Sequence, residues 1–549
     1  MNRKVSYTIL TSICIILLIG FVSFDVNAQL SDLVSQANEQ FNAIETDKEI
    51  INQEVLVDGE QPYNVELVRT TEKIKDGKQK VERYLFNIAL LNENKVEIKS
   101  SKNKMLLKME TKGGKYIQRF EDEKSKGYTN VLEIQYVDID DARSAKSTWE
   151  ALIPVAKTDW TQAINLPKSL GDLKIWLRPY VGDVDMGKQV ATQSLTENTI
   201  YDDYVNYEVS NLKGKDKREI YRFSLADIEN ESLRVGPSGS TIKLDLRTEG
   251  NKKLILKEDE DGTTFQNNLS IYFSDAGSAL EMSKGMEVVT AMAQLTADER
   301  VKSYEMCEDC LTGYKEVINQ YSGKKVSTSL EGDCKSILTL DKGGKDETYE
   351  FRWADLNVKS VKQDFATNEM KLTFETIGKK KFISEKVEGE IKGYQSKIEF
   401  YFDDLETFRK SSIQVKSIIE SCDVDLMAES LTWMDEHFSA QAINDMDQSI
   451  SLEEECSVIY TSGEADGDKS YSYEFNLYDL DSKRVNMKIS KSKLQLELNT
   501  NNKEKIITKT NQDGKLEYTN KLTMDFGSLD ELRKAEMTLI KEINGCARG

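Results

Sequence analysis

The chain has almost no histidine. Among its 549 residues only His437 is one, so a catalytic triad or dyad that depends on histidine would have to be built around that side chain. It lies near Trp433 in a stretch with helical periodicity, and no G-x-S-x-G sequence accompanies it. This context favours a solvated histidine on a helix surface. Metal sites made of several histidines are excluded by count, and we expect no metal site.

Glycine-rich nucleotide motifs are also absent. The chain contains neither G-x-G-x-x-G nor G-x-x-x-x-G-K-[ST]. Its five tryptophans give little sign of a sugar-binding platform, and the acidic run 258–262 lacks the spacing of an EF-hand. Carboxylates alone can hydrolyse glycosides, so a carboxylate-dependent hydrolase stays an open but disfavoured alternative. We expect no catalytic residue and no cofactor.

The chain has fewer basic residues than acidic ones. Lysine and arginine number 74 against 95 aspartates and glutamates, which gives a net charge of −21. Such a field repels nucleic acid, so no nucleic-acid partner is expected. Hydrophobic residues make up 39% of the chain, enough for packed cores rather than disorder.

Only one long apolar run is present, at residues 9–24, and it follows Arg3 and Lys4. The small residue Ala28 lies where a signal peptidase would cleave, so residues 1–28 are predicted to be a signal peptide removed before Gln29. The alternative is an uncleaved N-terminal anchor. No other segment is apolar and long enough to cross a membrane. The sequence therefore predicts an exported protein, either periplasmic, at the cell surface or extracellular, without a membrane span after signal removal.

A repeated pattern organises the rest of the chain. Its first landmark is a phenylalanine that opens a short apolar phrase: Phe86, Phe223, Phe351 and Phe475. Twenty-five residues after each stands a threonine: Thr111, Thr248, Thr376 and Thr500. An aromatic residue follows after 17 or 18 more: Tyr128, Phe265, Tyr394 and Tyr518. A second aromatic comes eight residues later: Tyr136, Phe273, Phe402 and Phe526. Four copies of one unit are therefore predicted.

Within a copy the apolar residues alternate with period two before the threonine, which is typical of half-buried strands. After the last aromatic the period changes to three and four, the pattern of an amphipathic helix. The fold class is therefore α+β, with four antiparallel meander or roll modules, each closed by a C-terminal helix, and helical connectors. In the fourth copy, strands are expected at 457–461, 471–478, 484–490, 494–499, 504–510 and 516–526.

The predicted boundaries follow from these landmarks. They are an N-terminal helical segment 29–46, module 1 at 47–155, a connector 156–198, module 2 at 199–294, a connector 295–328, module 3 at 329–422, a connector 423–451 and module 4 at 452–549.

Six cysteines follow residue 28, an even number for an oxidising compartment. Cys422 and Cys546 each stand twenty residues after the second aromatic, and Cys334 and Cys456 are expected to open the first strand of the same modules. Both positions lack cysteine in modules 1 and 2, which predicts the bonds Cys334–Cys422 and Cys456–Cys546. In the connector 295–328 the remaining pair forms a C-x-x-C sequence that favours a structural disulfide over a redox or zinc site. This pair is Cys307 and Cys310.

Two hairpins depart from the acidic background. Their basic residues are Lys73, Lys75, Lys78 and Lys80 in module 1, and Lys213, Lys215, Lys217 and Arg218 in module 2. Such tips can hold a phosphorylated or sulfated ligand. A lysine-rich turn that is merely solvated and protects a sheet edge is the favoured interpretation.

The order of elements, about six strands and then one helix, resembles the pleckstrin-homology-like superfold. In lipid-binding members a basic hairpin between the first two strands grips phosphorylated head groups, so the resemblance implies that role for the hairpins of modules 1 and 2. Fold does not fix function. The favoured function is a non-catalytic scaffold or interaction protein with protein partners in the cell envelope or outside the cell. The alternative is an anion-binding protein; the sequence names no small ligand.

Overall fold

A computed structural model describes residues 29–101, 104–187, 189–211, 217–305, 326–331, 334–341, 344–367, 369–402, 404–422, 428–440, 442–443, 445–453, 456–465, 467, 469–491 and 493–546. The predicted signal peptide and the pair Cys307 and Cys310 lie outside these residues. The fold mixes helices with antiparallel sheets. The chain divides into two compact units, unit 1 (Met1–Arg300) and unit 2 (Val301–Gly549), and each is described by itself.

Unit 1 opens with helix α1 over residues 29–39. Segment A, residues 44–163, follows. Its strands are β1 (Ile44–Glu45), β2 (Glu49–Val57), β3 (Asn64–Lys73), β4 (Gln79–Asn87), β5 (Leu91–Ser101), β6 (Lys104–Thr111), β7 (Ile117–Glu121), β8 (Lys124–Thr129) and β9 (Val131–Tyr136). They form a large sheet, β1-β2-β3-β4-β7-β8, and a small sheet, β5-β6-β9. Helix α2 (Ile139–Ala163) follows and lies against β5 and β6.

Segment B, residues 184–305, follows helix α3 (Leu170–Leu177), and the last five residues of its final helix lie beyond Arg300, where unit 1 ends. Its strands are β10 (Val184–Asp185), β11 (Val190–Glu197), β12 (Tyr204–Ser210), β13 (Arg218–Ser224), β14 (Arg234–Ser238), β15 (Thr241–Arg247), β16 (Ile255–Asp259), β17 (Gly262–Gln266) and β18 (Asn268–Phe273). The large sheet has the order β10-β11-β12-β13-β16-β17, and the small sheet is β14-β15-β18. Helix α4 (Ala276–Glu305) follows.

Unit 2 begins with segment C, residues 326–421. Its strands are β19 (Val326–Glu331), β20 (Lys335–Asp341), β21 (Asp346–Arg352), β22 (Lys362–Phe365), β23 (Met370–Glu375), β24 (Ile383–Val387), β25 (Glu390–Gln395) and β26 (Lys397–Phe402). The large sheet is β19-β20-β21-β24-β25 and the small sheet is β22-β23-β26. Helix α5 (Leu405–Ser421) follows.

Segment D, residues 446–546, follows helix α6 (Leu431–Ala440). Its strands are β27 (Met446–Leu452), β28 (Ser457–Glu464), β29 (Ser470–Asn476), β30 (Asn486–Ile489), β31 (Leu494–Asn499), β32 (Ile507–Asn511), β33 (Leu516–Thr519) and β34 (Lys521–Phe526). The large sheet is β27-β28-β29-β32-β33, the small sheet is β30-β31-β34, and helix α7 (Leu529–Cys546) ends the segment.

The long helices close the cores through their apolar faces. Trp149 on α2 is fully buried, with its ring centroid 6.4 Å from that of Phe86. In segment D, Leu532 and Leu539 of α7 are fully buried in the same core as Leu496 of β31. Burying one such side chain contributes about 1.5–3 kcal/mol, so these helices stabilise the sheets that they cover.

A buried glutamine joins the large sheet to the small sheet in three segments. Gln193 on β11 donates from Nε2 to the carbonyl of Tyr272 and accepts from its N–H, both at 3.0 Å. Gln53 makes the same pair of bonds with Gln135, and Gln448 with Asp525. The amide side chain thus forms hydrogen bonds with the backbone N–H and C=O of one strand residue, as a neighbouring strand would.

The landmark threonines hold a tight turn that follows the middle strand of each small sheet. Each hydroxyl donates to the carbonyl three or four residues further along the chain, in the case of Thr500 to that of Glu504 at 2.6 Å. Thr248, Thr376 and Thr500 are at most 1% exposed. The repeated threonine therefore has a structural role.

The connectors differ from the sequence prediction. The segment 156–198, predicted as a helical connector, holds the end of α2 and α3 but also strands β10 and β11. The same holds for 423–451, which contains α6 and most of β27. The buried positions of β11 are Ala191, Gln193 and Leu195. Because the first is small and the second is polar, the strand lacks the apolar alternation by which a half-buried strand is predicted from sequence. The boundary predicted at 294/295 falls inside the continuous helix α4.

Strand ends differ as well. The strand expected at 516–526 is divided into β33 and β34 at Asn520. Cys334 and Cys456 do not open a first strand, because β19 and β27 precede them. Both instead lie between the first two strands of their segments, with φ of +57° and +67°.

Candidate functional site

A cleft in unit 1 separates the large sheet of segment A from the start of helix α4. Its volume is about 400 Å³, within the range of ligand sites. Its walls come from the ends of β2 and β4, the start of β3, strands β7 and β8, and residues 275–277. The cleft is therefore formed by both segments of the unit.

Part of the lining is apolar and aromatic. It includes Leu56 and Val57, which are 47% and 38% exposed, and Tyr116, which is 8% exposed. Tyr128 donates its hydroxyl to the carbonyl of Ser274 at 2.9 Å. Burial raises the pKa of Tyr128 well above its usual value, and the nearby carboxylate of Asp275 adds to the rise. Its hydroxyl therefore stays protonated and acts as a donor.

The floor of the cleft carries an unpartnered amide. Asn87 is 4% exposed, and its Oδ1 accepts from the N–H of Ala89 at 2.8 Å. Its Nδ2 has no hydrogen-bond partner among the described residues. Leaving a buried donor unsatisfied costs about 1–3 kcal/mol. The amide is thus placed to donate to a group that enters the cleft.

A glycine leaves room beside this amide. A Cβ placed on Gly277, in the first turn of α4, would lie 3.8 Å from Asn87 Nδ2 and 3.9 Å from Asn64 Oδ1. Asn64 directly opposes Asn87 across β3 and β4. The same Cβ would lie 3.2 Å from Asp275 Oδ1 and at van der Waals distance from both asparagines, so glycine leaves a gap of one methyl group beside them.

The charged side chains that line the cleft are Asp58, Glu66 and Asp275, and no lysine, arginine or histidine is among its lining residues. Asp275 accepts from the N–H and the hydroxyl of Ser278, both at 2.8 Å, and so caps α4. Glu66 is paired with Arg83. Because its lining is acidic or neutral, the cleft favours uncharged or cationic groups over anions.

Unit 2 contains a corresponding cleft between the large sheet of segment C and the start of α7. Its volume is smaller, about 230 Å³. Arg352 follows Phe351 as Asn87 follows Phe86, and Asp530 lies four residues after Phe526, as Gly277 does after Phe273. Here an arginine and an aspartate therefore replace an asparagine and a glycine.

These two side chains form an ion pair. Nη2 of Arg352 lies 2.9 Å from a carboxylate oxygen of Asp530. Burial alone would raise the pKa of the Asp530 carboxyl, but the hydrogen bond and charge of Arg352 hold it below its usual value. Arg533 adds a second pair with Asp355 at 2.5 Å and lies 3.9 Å from the centroid of the Phe382 ring. Two ion pairs of the protein thus lie across the lining of this cleft.

The basic hairpins lie elsewhere. Lys80 pairs with Glu82 and Glu121 at 3.3 and 3.2 Å, and Lys78 lies 3.8 Å from Asp76. In segment B the described basic residues also have acidic partners, Lys217 with Asp261 and Arg218 with Glu208. Neither cleft is lined by these residues, nor by Lys73 or Lys75. Lys213 and Lys215 lie outside the described residues.

The cysteine pairs of unit 2 lie at disulfide distance. Cys334 is paired with Cys422 and Cys456 with Cys546, with Cα–Cα distances of 5.9 and 6.1 Å. Each pair joins the turn between the first two strands of a segment to the end of its long helix. The helices α5 and α7 are therefore tied to the large sheets.

His437 is not solvated as expected. Its side chain is 16% exposed, with Nε2 3.2 Å from Glu531, and its ring stacks on Trp433 with centroids 5.7 Å apart. Within the described residues no group of three or more His, Cys, Asp or Glu is placed to hold a metal ion. None of the helices in the described ranges combines the length and apolarity that a membrane span requires.

No protein-family model matches the chain, and comparisons with curated proteins and with solved structures found no significant match. The resemblance to the pleckstrin-homology-like superfold therefore stays a prediction.

The sequence analysis did not identify Asn87, Gly277 or the cleft. A signal was present in the sequence: when the four predicted copies are aligned on their landmarks, Asn87 matches Arg352 after the phenylalanine, and Gly277 matches Asp530 four residues after the second aromatic. The sequence alone does not show that residues 87 and 277, which are 190 positions apart, lie close together in the fold.

Proposed function

We propose that this protein is an exported, non-catalytic interaction protein whose segments A to D are four copies of one module. In this proposal the copies work in pairs, A with B and C with D. The cleft of unit 1 receives a segment of a protein partner, and the pair in unit 2, with its two cysteine bridges, serves as a rigid scaffold.

The observation that supports this proposal most is the contrast between the two clefts. At the same location the Arg352–Asp530 pair bridges the smaller cleft of unit 2, whereas Asn87 and Gly277 form no such bridge in unit 1. The cleft of unit 1 also carries the amide of Asn87, whose Nδ2 has no hydrogen-bond partner among the described residues. An open volume with an unused donor is what a binding site requires and what a purely structural contact avoids.

The lining indicates the chemistry of the ligand. Asn87 Nδ2 can donate a hydrogen bond to a carbonyl oxygen of the ligand. The lining residues Leu56, Val57 and Tyr116 can contact an apolar side chain. A peptide segment of neutral or positive charge supplies both. The anion-binding alternative gains little support, because four of the six described basic residues of the hairpins, Lys78, Lys80, Lys217 and Arg218, already contact carboxylates.

Peptide binding to the purified chain tests the proposal. Short peptides that share one central apolar side chain and differ only in net charge, negative, zero or positive, carry an uncharged fluorescent label. Neutral and positive peptides are expected to raise the polarisation signal on the wild-type chain. The double variant Asn87→Arg/Gly277→Asp, which copies the ion pair of unit 2 into unit 1, should lose this binding by at least about tenfold.

The matched control is Arg352→Asn/Asp530→Gly, which changes the corresponding positions of unit 2 and should leave peptide affinity unchanged. Binding that survives closure of the unit 1 cleft, or that is confined to negative peptides, would refute the proposal. So would the absence of binding by all three peptide classes.

A further inference from the structure

Segment D exposes an apolar face on its large sheet. Ile506 and Tyr518 are 37% and 58% exposed, and Leu516 of the edge strand β33 is 52% exposed. Contiguous apolar patches of this kind mark interaction sites on soluble proteins. An edge strand left open also invites pairing with another chain.

The same face is covered in segment A. Tyr128 holds the landmark position of Tyr518, and Tyr116 directly precedes a buried isoleucine, as Ile506 does. Both tyrosines line the cleft that lies against the start of α4. The face of the large sheet of A thus receives the first turn of the long helix of B.

Segment C repeats this arrangement inside unit 2. Tyr394 and Phe382, at the same two positions, line the cleft against Ser528 and Leu529 at the start of α7. Phe382 is 8% exposed, whereas Ile506 of segment D is 37% exposed. Among the described residues, the face of D therefore lacks the cover that the faces of A and C have.

The complementary element is exposed in segment A. The start of α2 carries Val137 and Ile139, which are 50% and 37% exposed. By the landmarks, these positions correspond to Ser274 and Ala276, and Ala276 is 5% exposed where it meets the sheet of A. The first turn of α2 thus presents apolar side chains where its counterpart in α4 is docked.

We propose that the chain assembles head to tail, with the start of α2 of one copy docked on the sheet face of segment D of a second copy. The contact would reproduce between molecules the packing that joins A to B and C to D within each unit. Because the two surfaces differ, the interface is heterologous and leaves one free surface of each kind at the ends, so it extends into rings or filaments. This assembly goes beyond the proposed function and does not need the unit 1 cleft to be occupied.

Analytical ultracentrifugation of the purified chain tests the proposal with two double variants. The face variant is Ile506→Asp/Tyr518→Asp, and the helix-start variant is Val137→Asp/Ile139→Asp. All four positions are exposed, so the substitutions should leave the fold intact, which circular dichroism verifies. Wild type should show a mass that rises with concentration, and each variant alone should lose association by at least about tenfold.

A mixture of the two variants is decisive. Each retains the surface that the other lacks, so the mixture should form one-to-one dimers and nothing larger. The control Ile200→Asp, at an apolar position that is 73% exposed, should assemble like wild type. A wild-type chain that stays monomeric overturns the proposal, as does a helix-start variant that associates alone or a mixture that stays monomeric.

Discussion

Arg352 donates from Nε and Nη2 to the two carboxylate oxygens of Asp530, at 3.2 and 2.9 Å. Such a two-point contact fixes both side chains in one geometry. In unit 1 the corresponding residues are Asn87 and Gly277, which form no such contact, and the cleft between sheet and helix is larger. One pair of positions thus separates a cleft that an ion pair bridges from a larger cleft without such a bridge.

The landmark threonine gives the first prediction. Thr248→Val keeps the shape of the side chain and removes the hydroxyl that donates to the carbonyls of Lys252 and Asn267. Loss of a buried hydrogen bond costs about 1 kcal/mol, so amide exchange in 248–254 should accelerate about fivefold. Hydrogen–deuterium exchange with mass spectrometry measures this. Thr196→Val, at an exposed position of β11, is the control, and equal exchange in both variants would contradict the assigned role.

A buried ion pair in unit 1 predicts a pH dependence. Asp203 is 0% exposed and accepts from Nη2 of Arg300 at 3.0 Å. Burial would raise the pKa of Asp203, but hydrogen bonds from Arg300 and Ser224 hold it below its usual value. The stabilisation is therefore present above about pH 4, the ordinary value of this carboxyl, and is lost as the pH falls through the lower value of the folded state.

Removing the arginine tests this directly. Arg300→Met should destabilise strand β12 by about 3–5 kcal/mol at neutral pH, because it leaves a buried carboxylate unpaired. The deficit should shrink on acidification, since protonation neutralises Asp203. This loss of stability is measured from the hydrogen-exchange rates of the β12 amides across a series of pH values. The control is Lys302→Met, at an exposed position of the same helix. A deficit that does not vary with pH would show that charge is not the cause.

The cysteine pairs predict different responses of the two units to reduction. Non-reducing peptide mapping should recover Cys334 linked to Cys422 and Cys456 linked to Cys546. Each bridge closes a loop of about 90 residues, so its reduction should destabilise segment C or D by up to about 4 kcal/mol in the chain-entropy model. Segments A and B contain no cysteine and serve as the internal control. A linkage between segments C and D would contradict the pairing.

Sequence periodicity predicted much of the fold where the buried residues are strongly apolar. Leu496 and Leu498 mark β31, and Leu532 and Leu539 mark α7, as expected. Periodicity did not predict strand β11. Its residue Gln193 is buried because the side-chain amide forms hydrogen bonds with the backbone of Tyr272, and this role does not depend on hydrophobicity. The cleft could not be predicted, since Asn87 and Gly277 meet only after two segments have folded and packed together.

The most direct test of the central claim is to locate a bound peptide. A neutral peptide from the binding series, carrying a photoreactive group in place of its apolar side chain, is cross-linked to the wild-type chain and mapped by mass spectrometry. Cross-links are predicted at Leu56, Val57, Tyr116 and Tyr128, and should disappear in Asn87→Arg/Gly277→Asp. Cross-links concentrated outside this cleft, or unchanged in the closed variant, would contradict the account.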